Sequence, residues 1–324
     1  MKDIIISMIL PAYNVEKYIE NCIESCERQD IPKNSYEIIV VNDGSTDGTL
    51  CVVESLVTKY SNIRIVNQPN QGVSVARNNG FKEAKGKYIW FIDPDDEISS
   101  NCLSSLISIM EKQNLEALVV APCIPYITEF PSLDETKNYV SEIHSGVDFL
   151  LDKTNSAVAP WCFIFLNSFW RDGKFSFKPG IRYEDSELIP YVTSKVTRLA
   201  KLTQFSCYNY IQHDASFMHS KVTRNHILSI AVLINSYMSY ATETDIKDLN
   251  LYFRENASAS FVGGINKISK WESDKMDMYE DFVQAIKVRP RDLYADSFLK
   301  KFYQYIILNF PKLYIRISNL IYGK

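Results

Sequence analysis

Four short apolar runs constrain this chain more than any other feature: Ile4–Leu10, Tyr36–Val41, Ile63–Val66 and Tyr88–Ile92. Each has the length of a strand, and the stretches between them carry helical period and turn formers. Val15–Gln29 shows that period, with Val15, Tyr18, Ile19, Cys22, Ile23 and Cys26 at helical spacing. A second helix runs to about Tyr60 and a third over Gln71–Ala84, with Gly86 near its stop. Strand and helix alternating in this way predict a parallel, doubly wound α/β sheet.

The last of these runs sits in Lys87–Ile98 (KYIWFIDPDDEI), which turns abruptly from apolar to acidic. An unbroken apolar strand is one covered on both faces. Pro94 cannot donate to a ladder, so the strand ends before it. Asp93, Asp95 and Asp96 then lie just past the carboxyl end of a buried strand, where open α/β sheets bind ligands. Carboxylates there suit a hard divalent cation carried with a phosphate; an acidic turn followed by a helix cap accounts for the same residues.

The other strand ends sharpen the choice. Pro11 closes the first strand, followed by Ala12, Tyr13 and Asn14, and Asp43 follows the second. Neither G-x-G-x-x-G nor G-x-x-x-x-G-K occurs, which removes the two commonest phosphate loops. Tyr13, Asn14, Asp43, Asp93 and Asp95 instead line one sheet edge, a set suited to a base, a ribose and a metal-bound diphosphate. Asp43 can alternatively cap the following helix, but Ser45, Thr46 and Asp47 compete for that task and leave Asp43 for a ligand.

Bulk properties narrow the class further. The 324 residues suffice for one large or two smaller domains. A net charge of −4 gives no basic field for nucleic acid. The seven cysteines, Cys22, Cys26, Cys51, Cys102, Cys123, Cys162 and Cys207, form no CxxC pair and read as buried reduced thiols of a cytoplasmic protein. The apolar run at the N-terminus is too short for a signal peptide, and no run of 18 apolar residues spans a membrane.

Four ordered motifs, PAYNVEKYIENCIES, EIIVVNDGSTDGT, NQGVSVARNNGFKEAKGKYIWFIDPDD and RYEDSEL, resemble glycosyltransferase family two, whose fold is GT-A. The resemblance covers roughly residues 1–220 and implies the roles that follow. Pro11, Ala12, Tyr13 and Glu16 border the base and ribose, and Asp43 accepts a hydrogen bond from a uracil imide, so the donor is a UDP-sugar. Asn70, Gly72 and Arg77 approach the donor, although a surface ion pair explains Arg77 as well. Within Asp93-Pro94-Asp95, Asp93 contacts the ribose or a metal-bound water, and Asp95 ligates Mn²⁺ or Mg²⁺. Asp96 faces the acceptor sugar or caps the next helix. Trp161 is a sugar-stacking platform or a core residue. Asp185 is the catalytic base with Glu184 beside it, a pair that would equally suit a helix start. His213 and Ser216 reach the diphosphate or metal, while Ile211 stands where an arginine is common.

From residue 221 to 324 the pattern becomes helical, with expected spans Asn225–Tyr240, Thr244–Phe261, Asp277–Ile286 and Ser297–Leu308. The ending FYQYIILNFPKLYIRISNLIYGK leaves two readings open: a helix lying peripherally on a membrane, or one docked on the catalytic domain or an oligomer partner. The resulting expectation is an inverting, metal-dependent sugar transferase. It would carry a sugar from a UDP-sugar to a saccharide or lipid-linked acceptor in capsule, surface-polysaccharide or glycoconjugate assembly. A nucleotidyltransferase and a non-catalytic nucleotide-sugar-binding protein are the rivals; PAYNVEKY is not the Gly-rich loop that the first would need.

Overall fold

The computed structural model describes residues 3–121, 126–132, 139–155, 157, 159–212, 221–271, 274–289, 293, 305–307, 309–311 and 313. The chain divides into two compact units, residues 1–180 with 188–212, and residues 181–187 with 213–324.

The first unit is built on one mixed, mostly parallel sheet. Its strands are β1 (Ile6–Ala12), β2 (Tyr36–Asp43), β3 (Ile63–Gln68), β4 (Tyr88–Phe91), β6 (Ala117–Val119), β7 (Phe163–Leu166) and β8 (Leu199–Lys201), in spatial order β3-β2-β1-β4-β7-β6-β8. Strands β1 to β4 are mutually parallel; β7 runs antiparallel to both β4 and β6. Every residue of β1, β2 and β4 is buried, as continuous apolar strands covered on both faces must be. Helices α1 (Ile19–Glu27), α2 (Thr49–Lys59), α3 (Val73–Glu83) and α4 (Leu103–Gln113) supply the cover. Two further strands, β5 (Glu97–Ile98) and β9 (Tyr208–Asn209), pair antiparallel as a small separate ribbon.

One boundary differs instructively from the sequence reading. The first strand does not stop at Pro11 but continues to Ala12, with Pro11 opposite Val41 and Ala12 opposite Asn42. Ile5 and Ile9 both turn their carbonyls to β4, accepting the N–H groups of Tyr88 and Ile92. By the two-residue alternation the Pro11 nitrogen points the same way, and there β4 has already ended. The missing donor is the one that would carry the β1–β4 ladder past the Ile92–Ile9 bond, so pairing with β4 ends there while pairing with β2 runs on to Ala12. Helix starts also fall later than the sequence places them, α1 at Ile19 rather than Val15 and α3 at Val73 rather than Gln71.

The fold carries short helices α5 (Gly146–Leu151) and α6 (Asn167–Asp172), then α7 (Glu184–Lys195), within which the boundary between the two units falls. The second unit packs α8 (Arg224–Thr242), α9 (Lys247–Ser269) and α10 (Lys275–Ala285) around Ile230, Leu233, Phe253, Phe261 and Phe282. Among the described residues no helix is long and apolar enough to cross a membrane. The expected fourth span, Ser297–Leu308, lies mostly outside the described residues. Cys22, Cys26, Cys102, Cys162 and Cys207 are buried free thiols, as read, whereas Cys51 is an exposed one.

Candidate active site

The candidate residues of the first unit gather at the carboxyl ends of β1, β2 and β4. Ala12 ends β1, and Tyr13 beyond it is 47% exposed. Asn14, at φ 53°, accepts the N–H of Thr46 at 2.8 Å, and its own N–H donates to Ser45 Oγ. Glu16 Oε2 accepts the N–H of Gly48, at the start of α2, at 3.0 Å. The β1 and β2 loops are thereby locked together, with Tyr13 presented at their rim.

Asp43 corrects the sequence reading. It is not kept clear for a ligand by competing caps: it is 2% exposed and closes the β3–α3 loop. Its Oδ1 accepts from Gln68 Nε2 at 2.7 Å and from the Gln71 N–H at 2.8 Å, and its Oδ2 accepts from the Gly72 N–H at 2.8 Å. Gly72 at φ 89° adopts a backbone that L side chains rarely take. Asn70 lies against the neighbouring loop, where a Cβ on Gly44 would come 2.7 Å from its nitrogen. Asp43, Asn70 and Gly72 thus form one loop cradle.

The aspartate turn is organised from both sides. On one, Arg77 is buried in α3 and its Nη2 meets Asp93 Oδ1 at 2.8 Å, with the guanidinium 5.2 Å from the centre of the Phe177 ring. The surface ion pair offered as the alternative for Arg77 is therefore replaced by a buried one. On the other, the Tyr208 hydroxyl accepts the Asp93 N–H at 3.0 Å and donates to Asp96 Oδ2 at 2.7 Å. Asp96 Oδ1 accepts the Ile211 N–H at 2.8 Å. Burial above all, and then the charge of Asp93, pushes the Asp96 carboxyl up to about 8. Burial likewise raises the Tyr208 hydroxyl, which keeps it a proton donor.

Two expectations for this region are overturned. Asp96 neither faces an acceptor nor caps the next helix: it is 1% exposed, and the first N–H groups of α4 are accepted by Gln29 Oε1 (from Leu103, 3.3 Å) and Asp30 Oδ1 (from Ser104, 3.0 Å). Nor is Trp161 an open platform, because its ring stacks on Tyr208 (4.6 Å, 14°) and on Tyr210 (5.6 Å, 9°). Pro94 is buried and Asp95 half-buried at the tip of the turn. His213 and Ser216 lie outside the described residues. Tyr208, to which the sequence reading gave no role, is the residue it missed. Its signal was the Tyr208-Asn209-Tyr210 alternation, which sends two aromatics to one face of a strand.

In the second unit, Glu184 and Asp185 are the first two residues of α7, where carboxylates meet the positive end of the helix dipole. Tyr183, immediately before them, is left-handed at φ 65°. Lys267 Nζ stands 5.7 Å from its ring centre, and the His226 ring 6.3 Å away. One turn on, buried Glu187 accepts from Ser236 Oγ at 2.6 Å and Tyr240 Oη at 3.0 Å, tying the start of α7 to α8.

Two carboxylates at a strand tip, one already paired with an arginine, fit a divalent cation only if substrate phosphates complete its shell, which is how Mg²⁺ is commonly held. No group of three metal-ligating side chains is assembled among the described residues. Two clefts of about 490 and 540 Å³ open elsewhere, both bordering Leu166 and Asp172 at the end of the sheet where β4 begins, away from these carboxylates.

The family model for glycosyl transferase family 2 matches residues 7–170, half of the chain. The chain belongs to that family. Its sequence is 42% identical over 112 residues to the uncharacterized glycosyltransferase EpsJ of Bacillus subtilis, covering 35% of this chain and 32% of that protein. It is 28% identical over 216 residues to a poly(ribitol-phosphate) beta-glucosyltransferase of Bacillus spizizenii, covering 66% and 33%. The chain thus spans about a third of the length of these relatives. Among solved structures, S. aureus TarS residues 1–349 in complex with UDP superposes with a TM-score of 0.73 at 20% identity, covering 99% of this chain and 92% of that one. A mannosyltransferase of Pyrobaculum calidifontis, in complex with GDP-Man and Mn²⁺, gives 0.53 at 12% identity, covering 100% and 89%. These matches carry the GT-A fold expected of family 2.

Proposed function

We propose that this family 2 chain transfers a sugar, with inversion, from a UDP-sugar to a saccharide or lipid-linked acceptor hydroxyl in surface-polysaccharide assembly. The carrying observation is the aspartate turn at the end of β4, pinned between Arg77 and Tyr208 beside the Asp43–Gly72 cradle. The relatives that glycosylate poly(ribitol-phosphate) support the polymer setting, and the TarS complexes with UDP and UDP-GlcNAc support the donor class.

In this reading Pro11, Ala12, Tyr13 and Glu16 border the base and ribose. Asp43 Oδ2, which accepts one protein donor from Gly72, has a second lone pair for a uracil imide N–H. Asp185 takes the proton of the acceptor hydroxyl as that oxygen attacks the anomeric carbon from the face opposite the nucleotide, with Glu184 supporting it. The bond from the anomeric carbon to the diphosphate breaks, and UDP leaves with the electron pair. A divalent cation held through Asp95, with Asp93, would supply charge neutralisation to the departing diphosphate. His213 and Ser216 are assigned to the diphosphate by the family resemblance alone. Free thiols at every described cysteine support a cytoplasmic location. Exposed Tyr305, Phe310 and Leu313 support a contact made by the C-terminal segment, with a membrane surface or a second copy.

The test is incubation with UDP-sugars and Mn²⁺, following UDP release and product formation. Asp185→Asn is expected to abolish transfer while keeping UDP and Mn²⁺ binding; full activity of that variant overturns the base assignment. Asp95→Ala is expected to weaken metal-dependent UDP binding. Thermal stabilisation by a GDP- or dTDP-sugar, with none by any UDP-sugar, overturns the donor class.

A further inference from the structure

The ring of Tyr210 is 43% exposed although one side of it stacks on Trp161, at 5.6 Å and 9°. An exposed tyrosine ordinarily samples several rotamers. This one is the outer member of a stack whose other rings are fixed: Tyr208 is 3% exposed and nearly parallel to Trp161, and the Trp161 carbonyl accepts the Trp90 indole N–H at 3.0 Å. The backbone on either side of Tyr210 is also tied to the aspartate turn. Asn209 pairs with Glu97 in the β5–β9 ribbon, and the Ile211 N–H donates to Asp96.

We propose that the outward side of Tyr210 is a platform for a pyranose ring of the substrate, held in register with the aspartate turn by the Trp161–Tyr208–Tyr210 stack. An aromatic face is electronegative and apolar, and it suits a sugar face that presents C–H bonds. The stack bears the entropic cost of orienting the ring before the substrate arrives, which is what preorganisation requires. An acyclic polyol offers no such flat face, so the site selects cyclic sugars. The inference rests on the proposed sugar transfer and names the part of this site that grips the sugar itself.

The test uses the full chain and saturation-transfer NMR with methyl β-D-glucopyranoside, methyl N-acetyl-β-D-glucosaminide and ribitol. Calorimetry of UDP and UDP-GlcNAc with Mn²⁺ accompanies it. Transfer to the ring C–H protons of the glycosides, and not to ribitol, is expected in the wild type. Tyr210→Ala should reduce it about fivefold or more, with Tyr210→Phe and Tyr210→Trp restoring it, the scale of one lost stacking contact. If Tyr210→Ala instead reduces the preference for UDP-GlcNAc over UDP by that factor, the platform serves the donor sugar rather than the acceptor; either result supports the proposal. Unchanged glycoside signals and unchanged UDP-GlcNAc preference in Tyr210→Ala overturn it, as does a wild type that shows neither. UDP affinity of the wild type reads the donor proposal separately: its absence sinks that reading whatever the glycosides do. Tyr210→Ala also loses the stacking on Trp161, so a small drop in thermal midpoint is expected; the controls are an unchanged UDP affinity with Mn²⁺ and restoration of the midpoint by Tyr210→Phe.

Discussion

Arg77 Nη2 and Asp93 Oδ1 lie 2.8 Å apart, joining a helix residue to the first acid of the turn after β4. The arginine side chain is 5% exposed and the aspartate 26%, so the pair is only partly screened by water. Asp93 is therefore held by the protein itself before any ligand arrives.

Arg77→Met tests this pair. The substitution keeps an apolar stem against Phe177 but takes the guanidinium away from a half-buried carboxylate. Removing one member of such a pair is expected to cost about 2–4 kcal/mol, near the lower end for buried pairs because Asp93 is partly solvated. Urea denaturation of the ligand-free chain provides the check. A midpoint equal to wild type would show that the pair contributes nothing net.

Asp43→Asn addresses the loop cradle. An amide has one acceptor oxygen where the carboxylate has two, so an –NH₂ must face either the Gly72 N–H or the donors from Gln68 and Gln71. Hydrogen bonds to a charged group contribute about 1.5–3 kcal/mol each, so a loss of about 2 kcal/mol in stability is expected. UDP affinity should fall with it, since the same loop would border the nucleotide. Hydrogen exchange of the Gln71 and Gly72 amides, much faster in the variant, separates loop opening from lost ligand contact. Unaltered exchange at both would contradict the cradle.

These two residues also mark what was legible in the sequence. The sheet could be read because β1, β2 and β4 are continuous apolar runs, and that pattern has few solutions. The aspartate turn could be read because a proline ends such a run among acids. What could not be read was the partner of each polar group. Nothing local in Asp43 says that its oxygens are taken by Gln68, Gln71 and Gly72, 25 to 29 residues away. Asp96 looked like its neighbours Asp93 and Asp95, yet a tyrosine 112 residues downstream buries it. Pro11 misleads for a related reason: whether a strand can continue through a proline depends on which neighbouring strand its nitrogen faces, and that is a property of the sheet.

In the second unit, His226 carries the expected pH dependence. Its Nδ1 accepts the Thr223 N–H at 2.9 Å, which requires the unprotonated ring nitrogen. Burial, and then the nearby charges of Arg182 and Lys267, hold its pKa below the usual histidine value of 6.5. With the folded pKa depressed, the contribution to stability is present above pH 6.5 and is lost as pH falls through the folded value. Wild-type stability should therefore decline between about pH 6.5 and pH 5 by more than that of His226→Gln, which cannot titrate. Thermal denaturation at both pH values measures the difference. Identical slopes for the two proteins would remove His226 from the account.

Tyr208→Phe isolates the hydroxyl that joins Asp93 to Asp96. The ring remains, so its stacking on Trp161 and its burial are kept, while one donor and one acceptor vanish. Asp96 loses its Tyr208 donor while still accepting from Ile211, and the Asp93 N–H loses its partner on β9. A cost of about 1–3 kcal/mol follows for a buried network broken on one side. The more telling expectation concerns ligand binding. If the hydroxyl fixes the turn that carries Asp93 and Asp95, UDP affinity measured with Mn²⁺ should drop about tenfold, equivalent to about 1.4 kcal/mol. UDP affinity measured in EDTA should be nearly unchanged, because the base and ribose contacts proposed for Tyr13, Glu16 and Asp43 do not involve this turn. An equal loss with and without Mn²⁺ would mean that the variant loosens the whole sheet edge, and Tyr208 would then be a packing residue with no particular hold on the aspartate turn.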